Sequence, residues 1–193
     1  MNDAIQPQPD SARRARLIGT AGWLIIVLSA GSALLPVVDR AAGSTVIGSL
    51  LLAAGLIEIL AGTQRHETRM LAMAAGAVTT LAGLLFLLNP VAKFFPTITI
   101  VTAWLLLRSI LLFITSRMAH GSVRRWIGIA AATDVVLGVL LLAGLSIATL
   151  VVTVFGPTPT LVASFAWVFA LSFVVTGMLL LEIASFEREM ADE

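Results

Sequence analysis

The chain alternates between long runs of apolar residues and short polar segments. A helix needs about 20 mainly apolar residues to cross the hydrocarbon core of a bilayer. Six runs meet this requirement, and we predict one membrane-spanning helix in each of them: 17–38, 42–62, 70–88, 94–116, 126–143 and 161–184. The predicted fold class is therefore all-α, a polytopic membrane bundle of six transmembrane helices.

One further stretch, LSIATLVVTVFGPTPT at 145–160, is apolar but contains Gly156, Pro157 and Pro159. Because glycine and proline interrupt helices, this stretch is not expected to extend the sixth helix continuously. It either lengthens the fifth helix or forms a separate interfacial helix. A bundle of seven spans is the remaining alternative.

Composition excludes several kinds of function. The chain is 59% hydrophobic and 12% charged, whereas a soluble domain has about 25% charged residues. It contains no cysteine, which rules out thiolate catalysis and cysteine-based metal sites. A net charge of +1 gives no indication of a nucleic-acid partner. Since no catalytic, cofactor-binding or metal-ligating motif is visible, we expect a protein that is not an enzyme and needs no cofactor.

Basic residues predict the orientation, because they concentrate on the cytoplasmic side of membrane proteins. If the N-terminus is cytoplasmic, that side holds nine arginines: Arg13, Arg14, Arg16, Arg65, Arg69, Arg117, Arg124, Arg125 and Arg188. The opposite side holds only Arg40 and Lys93. We therefore predict that both termini are cytoplasmic, with a polar segment at 1–16 and a tail at 187–193. Glu182 is expected to close the sixth helix.

The six predicted helices form three similar hairpins, at 17–64, 70–118 and 125–186. The returning helix of each hairpin contains, in turn, AGLIEILAG, RSILLFITS and TGMLLLEIA. Aligning these strings makes two sets of three residues equivalent: Gly55, Ser109 and Gly177, and Gly62, Ser116 and Ala184. The repeats run parallel to one another, unlike the inverted repeats of many alternating-access transporters.

The turns distinguish the third hairpin from the first two. The first two hairpins have outer turns that contain proline, LLP at 34–36 and LNP at 88–90. The third hairpin instead carries an insertion of about a dozen residues. The hairpin period, the LNP turn and GLIEI at 55–59 resemble the HdeD-like acid-resistance membrane proteins of bacteria, over almost the whole chain. This resemblance implies a six-helix protein of the bacterial inner (plasma) membrane with a part in tolerance of acid or envelope stress. It implies no catalytic residues.

Three ionisable residues interrupt the predicted spans: Glu58, Arg108 and Asp134. Each costs roughly 2.5–3.5 kcal/mol if it lies unpaired at mid-helix. Arg108 and Asp134 each lie eight residues, or about 12 Å, from the inner end of their helix. Because a short connector joins these helices, the sequence predicts an Arg108–Asp134 ion pair. Glu58 either joins this pair, competes for it, or extends toward the membrane surface.

Glycines recur every seven residues on two helices: Gly48, Gly55 and Gly62 on the second, and Gly76 and Gly83 on the third. In lipid, small residues allow helices to approach closely. These stripes predict packing faces inside the bundle, with contacts in a homo-oligomer as the alternative.

The leading functional hypothesis is a non-enzymatic inner-membrane protein that contributes to acid or envelope-stress tolerance. Its charge cluster is then either a structural lock or a proton-responsive group. The alternative is a small transporter or channel that uses Glu58, Arg108 and Asp134. The expected partners are the lipid bilayer and, within it, a second copy of the chain or other membrane proteins.

Overall fold

The computed structural model describes residues 9–33, 40–65, 68–88, 97–142 and 160–192. They form six α-helices: α1 (Pro9–Ala33), α2 (Arg40–Thr63), α3 (Arg69–Leu88), α4 (Thr97–Met118), α5 (Gly121–Leu142) and α6 (Thr160–Asp192). Each helix contains a segment that is long and apolar enough to cross a membrane, and the described part of the chain has no strand. The prediction of an all-α bundle with six spans is confirmed. The stretch 145–159, and the prolines of both predicted outer turns, lie outside the described residues.

Two helices extend further than their apolar runs. α1 begins at Pro9, inside the segment that was predicted only as polar, and α6 continues ten residues beyond Glu182 to Asp192. The prediction that Glu182 closes the sixth helix is therefore wrong. Hydropathy detects only the part of a helix that can lie in lipid, whereas backbone hydrogen bonds continue equally well in water. Proline at the first helical position is favourable because its missing N–H needs no partner there.

The six helices form a closed ring in which the closest neighbours belong to different hairpins. α2 packs most extensively on α3, α1 on α6, and α4 on α5. The two helices within each hairpin pack less extensively on each other. Three equivalent interfaces, α6–α1, α2–α3 and α4–α5, therefore join one repeat to the next.

The predicted register holds along the buried faces of α2, α4 and α6. Shifting α2 by 54 residues onto α4, and by 122 residues onto α6, superimposes Gly55 on Ser109 and Gly177. Four sets of positions that are equivalent in this register are all buried: Ile47, Val101 and Phe169; Leu51, Leu105 and Phe173; Ala54, Arg108 and Thr176; and Glu58, Leu112 and Leu180. Each of the three repeats thus contributes one residue to every set in the interior of the bundle. Two of the four sets contain a charged residue, Arg108 or Glu58, and the other two are apolar.

The glycine stripes pack against each other inside the chain. A Cβ atom added to Gly55 would lie 2.8 Å from the carbonyl oxygen of Gly76, and one added to Gly48 would lie 3.1 Å from that of Gly83. Gly62 similarly faces the start of α3. The two backbones are therefore in direct contact, and these stripes form packing faces inside the chain.

Candidate functional site: a buried charge cluster

The three intramembrane charges meet at the guanidinium of Arg108 on α4. Nη1 of Arg108 forms an ion pair with Oδ2 of Asp134 on α5, and Nη2 donates a hydrogen bond of 2.8 Å to Oε1 of Glu58 on α2. Arg108 and Asp134 are 1% exposed, and Glu58 is 7% exposed. Of the alternatives for Glu58, joining the Arg108–Asp134 pair is the one the structure shows, because its carboxylate points inward to the arginine rather than toward the membrane surface.

Two hydroxyl groups of α6 complete the surroundings of the guanidinium. Arg108 Nη2 donates to Thr176 Oγ1 at 2.6 Å, and Ser172 Oγ donates to Asp134 Oδ1 at 2.8 Å. Ser172 Oγ also lies 3.4 Å from Arg108 Nη1. Hydrogen bonds to a charged group are stronger than those between neutral groups, and here both partners of each bond are buried.

The cluster joins all three hairpins. Glu58 belongs to the first hairpin, Arg108 to the second, and Asp134, Ser172 and Thr176 to the third. A single guanidinium can do this because it presents five N–H groups in a fixed plane and keeps its charge at every physiological pH. Arg108 therefore fixes the positions of three repeats relative to one another.

A polar and aromatic layer lies next to the charges. Thr79 Oγ1 lies 3.4 Å from Oε2 of Glu58 and accepts a hydrogen bond of 3.1 Å from Nε1 of Trp104. The Trp104 ring packs against Phe169 and Phe173, with ring centroids 5.4 and 6.5 Å away. These bulky side chains fill the bundle on this side of the cluster and keep water away from it.

Arg65, in the connector between α2 and α3, adds a positive charge beside the cluster. Glu58, Asp134 and Arg108 together carry one net negative charge, and Arg65 lies close enough to Glu58 to interact with it. Burial lowers the pKa of Arg65 to about 10, and the attraction of Glu58 opposes this decrease. Arg65 is therefore still protonated at neutral pH and places a second positive charge near Glu58.

A small cavity connects Arg65 with the cluster. The volume in which the centre of a water molecule can lie is about 20 Å³. The cavity is lined by residues that include Glu58, Arg65, Arg108 and Thr176. This is room for about one water molecule. Within the described residues no hydrogen-bond partner reaches Nε of Arg65 or Nε of Arg108. The cavity thus lies beside charged groups that still have unused hydrogen-bond donors.

The sequence predicts the three charged residues of the cluster but not the hydroxyl groups that bind them. Ser172 and Thr176 are four residues apart on one helix, so they share a face, and this spacing could have identified them. Thr176 also occupies the position equivalent to Arg108 in the repeat. In the sequence, Arg65 indicates only the orientation of the chain in the membrane. Its contribution depends on the position of the chain just after α2, which no pattern in the sequence specifies.

Nothing in this arrangement provides a metal site. Among residues 9–33, 40–65, 68–88, 97–142 and 160–192, no three histidine, aspartate or glutamate side chains lie together as metal ligands would. The cluster is an ion-pair network with one arginine at its centre. It can fix the packing of helices, and its carboxylates are groups that could take up protons.

Comparison with known proteins identifies the repeat. Residues 20–86 and 74–143 match the family model described as a short repeat of unknown function (DUF308). The two matches begin 54 residues apart, which is the shift that relates Gly55 to Ser109. Searches of curated proteins and of solved structures gave no match. Because the two matches together span more than half of the chain, this membrane protein belongs to the DUF308 repeat family.

Proposed function

We propose that the chain is a non-enzymatic protein of the bacterial inner membrane that contributes to tolerance of acid or envelope stress. Both termini face the cytoplasm in this proposal, as the distribution of arginine predicts. The DUF308 repeats are consistent with the resemblance to HdeD-like proteins that the hairpin period and the LNP turn indicate. The protein acts within the bilayer, through its lipids and through neighbouring membrane proteins.

The observation that carries this proposal is the ion-pair network around Arg108. Two buried carboxylates from different hairpins bind one arginine, so the packing of all three repeats depends on groups that acid can protonate. Each carboxylate that takes up a proton loses its attraction for the guanidinium. The primary role of the cluster is to stabilise the packing of the helices. Proton uptake by Glu58 or Asp134 would weaken this packing.

Survival of acid challenge tests this function. A strain that lacks the protein should survive less well, and a plasmid copy of the wild type should restore survival. Arg108→Ala should fail to restore it, whereas Arg69→Ala, which removes an exposed arginine at the start of α3, should succeed. Equal survival of the deletion and parent strains under both acid and envelope stress would refute the proposal.

The response of the cluster to protons can be tested separately from its role in helix packing. Asp134→Asn keeps the size of the side chain and removes its titration. If proton uptake matters, cells with this variant at normal abundance should show a survival profile across pH that differs from that of the wild type. An unchanged profile both in this variant and in Glu58→Gln would show that the cluster is only structural.

A small transporter or channel is the second candidate, and the cavity beside Arg65 is the observation that favours it. A water molecule there would link the connector to Glu58 inside the bundle. The experiment is flux of protons and small ions in proteoliposomes. Transport predicts flux that Arg108→Ala abolishes while the variant still folds; the structural function predicts no flux above protein-free vesicles.

A further inference from the structure

The α4–α5 interface contains a groove on the outer surface of the bundle. It has a volume of about 520 Å³ and is lined almost entirely by apolar groups, among them Phe113, Gly128, Ala132 and Val136. Phe113 is 53% exposed and Val136 is 56% exposed, so the groove opens outward to the lipid. Its volume falls within the range of about 300–1,000 Å³ that is typical of ligand sites.

The groove exists because this interface lacks the glycine pair of its two counterparts. In α2–α3, Gly55 faces Gly76, and in α6–α1, Gly177 faces Gly22; in both, an added Cβ would lie 2.8 Å from the opposing carbonyl oxygen. Shifting α3 by 55 residues onto α5 superimposes the buried positions of the two helices and places Ala131 at the position of Gly76. The position of Gly55 is occupied by Ser109 on α4, and both Ser109 and Ala131 line the groove. Their side chains hold the helices apart, and a Cβ added to nearby Gly128 would meet nothing within 4 Å.

Three exposed arginines lie at one end of this groove. Arg124 and Arg125 precede Gly128 by four and three residues, so they lie one turn away on the same face of α5. On α4, the guanidinium of Arg117 lies 4.7 Å from the centre of the Phe113 ring, which forms part of the groove wall. The groove thus combines an apolar floor at membrane depth with a positive charge of three at the end of the bundle.

We propose that this groove binds an anionic phospholipid, with an acyl chain between α4 and α5 and the phosphate beside Arg117, Arg124 and Arg125. Basic residues at the ends of transmembrane helices recognise anionic headgroups in this way. The two groove hydroxyls have no proton left to donate to a ligand, because Ser109 and Ser116 donate their hydrogen bonds to backbone carbonyls of α4 at 2.8 and 2.7 Å. What remains is an apolar slot that suits a hydrocarbon chain.

Charge favours a lipid over a second copy of the chain. A twofold dimer places the same surface of both copies in one interface. Two copies joined through this groove would bring six arginines together at one membrane surface, and like charges oppose such a contact. A lipid phosphate instead neutralises the arginines.

Photocrosslinking tests the proposal directly. The full chain is placed in nanodiscs that contain phosphatidylcholine with a small fraction of phosphatidylglycerol bearing a diazirine on one acyl chain. Crosslinks should map to the groove walls at 109–116 and 128–136. The same diazirine on phosphatidylcholine should label these segments far less, because each arginine near an anionic headgroup adds about a fivefold preference.

Variants separate the acyl slot from the headgroup site. Gly128→Phe fills the open groove and should abolish crosslinking; Ala103→Phe, which fills a different apolar groove between α3 and α4, should leave it unchanged. Arg124→Gln with Arg125→Gln should reduce the preference for phosphatidylglycerol by about tenfold or more. Arg69→Gln, at another exposed arginine, should not change it.

Three results would overturn the proposal. The first is equal labelling by the two lipids, and the second is labelling that the folded Gly128→Phe variant retains. The third is a dimer through the groove: since the chain has no cysteine, Val136→Cys is a single-cysteine variant whose rapid disulfide formation in nanodiscs would show that a second copy occupies the site. If Gly128→Phe does not fold, the paired arginine substitutions and the lipid comparison still decide the outcome.

Discussion

The α2–α3 and α4–α5 interfaces occupy equivalent places in the repeat, yet different interactions hold them together. α2 and α3 meet through glycines that bring two backbones into contact, and no ion pair between these helices accompanies them among the described residues. α4 and α5 have Ser109 and Ala131 at the equivalent positions and are joined instead by the Arg108–Asp134 ion pair. Close packing and a buried charge pair are therefore two solutions to one problem, which is the association of helices where no hydrophobic effect drives it.

The two solutions differ in what they make possible. The glycine contacts of α2 and α3 are tight and contain no titratable group, so the contacts themselves do not depend on pH; Glu58 meets Thr79 at a separate place on the same two helices. The α4–α5 interface depends on the attraction of Arg108 for the Asp134 carboxylate and leaves an open groove on its outer side. The functional features of the molecule accordingly collect around α4 and α5.

The largest expected effect comes from removing the central arginine. Arg108→Ala leaves the carboxylates of Glu58 and Asp134 buried without their counter-charge, and it should lower the free energy of unfolding by about 3–5 kcal/mol. The deficit should shrink at acid pH, because neutral carboxyl groups need no counter-charge. Unfolding with SDS in mixed micelles measures it. A loss below about 1 kcal/mol, similar to that of exposed Arg69→Ala, would contradict the account.

Glycine substitutions give a matched contrast between the interfaces. In Gly55→Ala the new Cβ would lie 2.4 Å from the backbone nitrogen of Thr80, so α2 and α3 must separate, at a cost of about 1–3 kcal/mol. Gly128→Ala on α5 places its Cβ in open space. It should leave stability unchanged, or raise it by up to about 1 kcal/mol through helix propensity. The same unfolding assay compares both, and equal losses would show that the α4–α5 groove is closed.

The smallest expected effect is the loss of one hydroxyl from the cluster. Thr176→Val keeps the shape of the side chain and removes its hydrogen bond with Arg108. Interhelical hydrogen bonds in membranes average about 0.6 kcal/mol and reach about 1.7 kcal/mol, so the free energy of unfolding should fall within that range. A loss as large as that of Arg108→Ala would mean that the hydroxyls, rather than the carboxylates, hold the arginine.

Much of this structure could be predicted from the sequence. Hydropathy located six spans, and equal depth on adjacent helices placed Arg108 opposite Asp134. The position of Glu58 could not be derived from depth alone, because one helix does not reveal which of its faces is covered. The repeat contains the missing information: Leu112 and Leu180 are equivalent to Glu58 in the register, and all three positions are buried.

Other features have no signal in hydropathy. Ser172 and Thr176 resemble hydroxyls that bond to their own helix, and Thr176 does also donate to the carbonyl of Ser172 at 2.7 Å. Their second role, in the cluster, follows from the contacts with Asp134 of α5 and Arg108 of α4. The ends of α1 and α6 were missed because a helix continues beyond the lipid without any change in its backbone hydrogen bonds.

The central claim is that Arg108 and Asp134 act as a pair, and a double-mutant cycle tests it most directly. The free energy of unfolding is measured for the wild type, Arg108→Ala, Asp134→Ala and the double variant in the same micelles. The account predicts that the double variant is more stable than the sum of the two single losses implies, with a coupling of about 1–3 kcal/mol. Additive losses would show that the two residues stabilise the protein independently. This result would contradict the claim that Arg108 and Asp134 act as a pair.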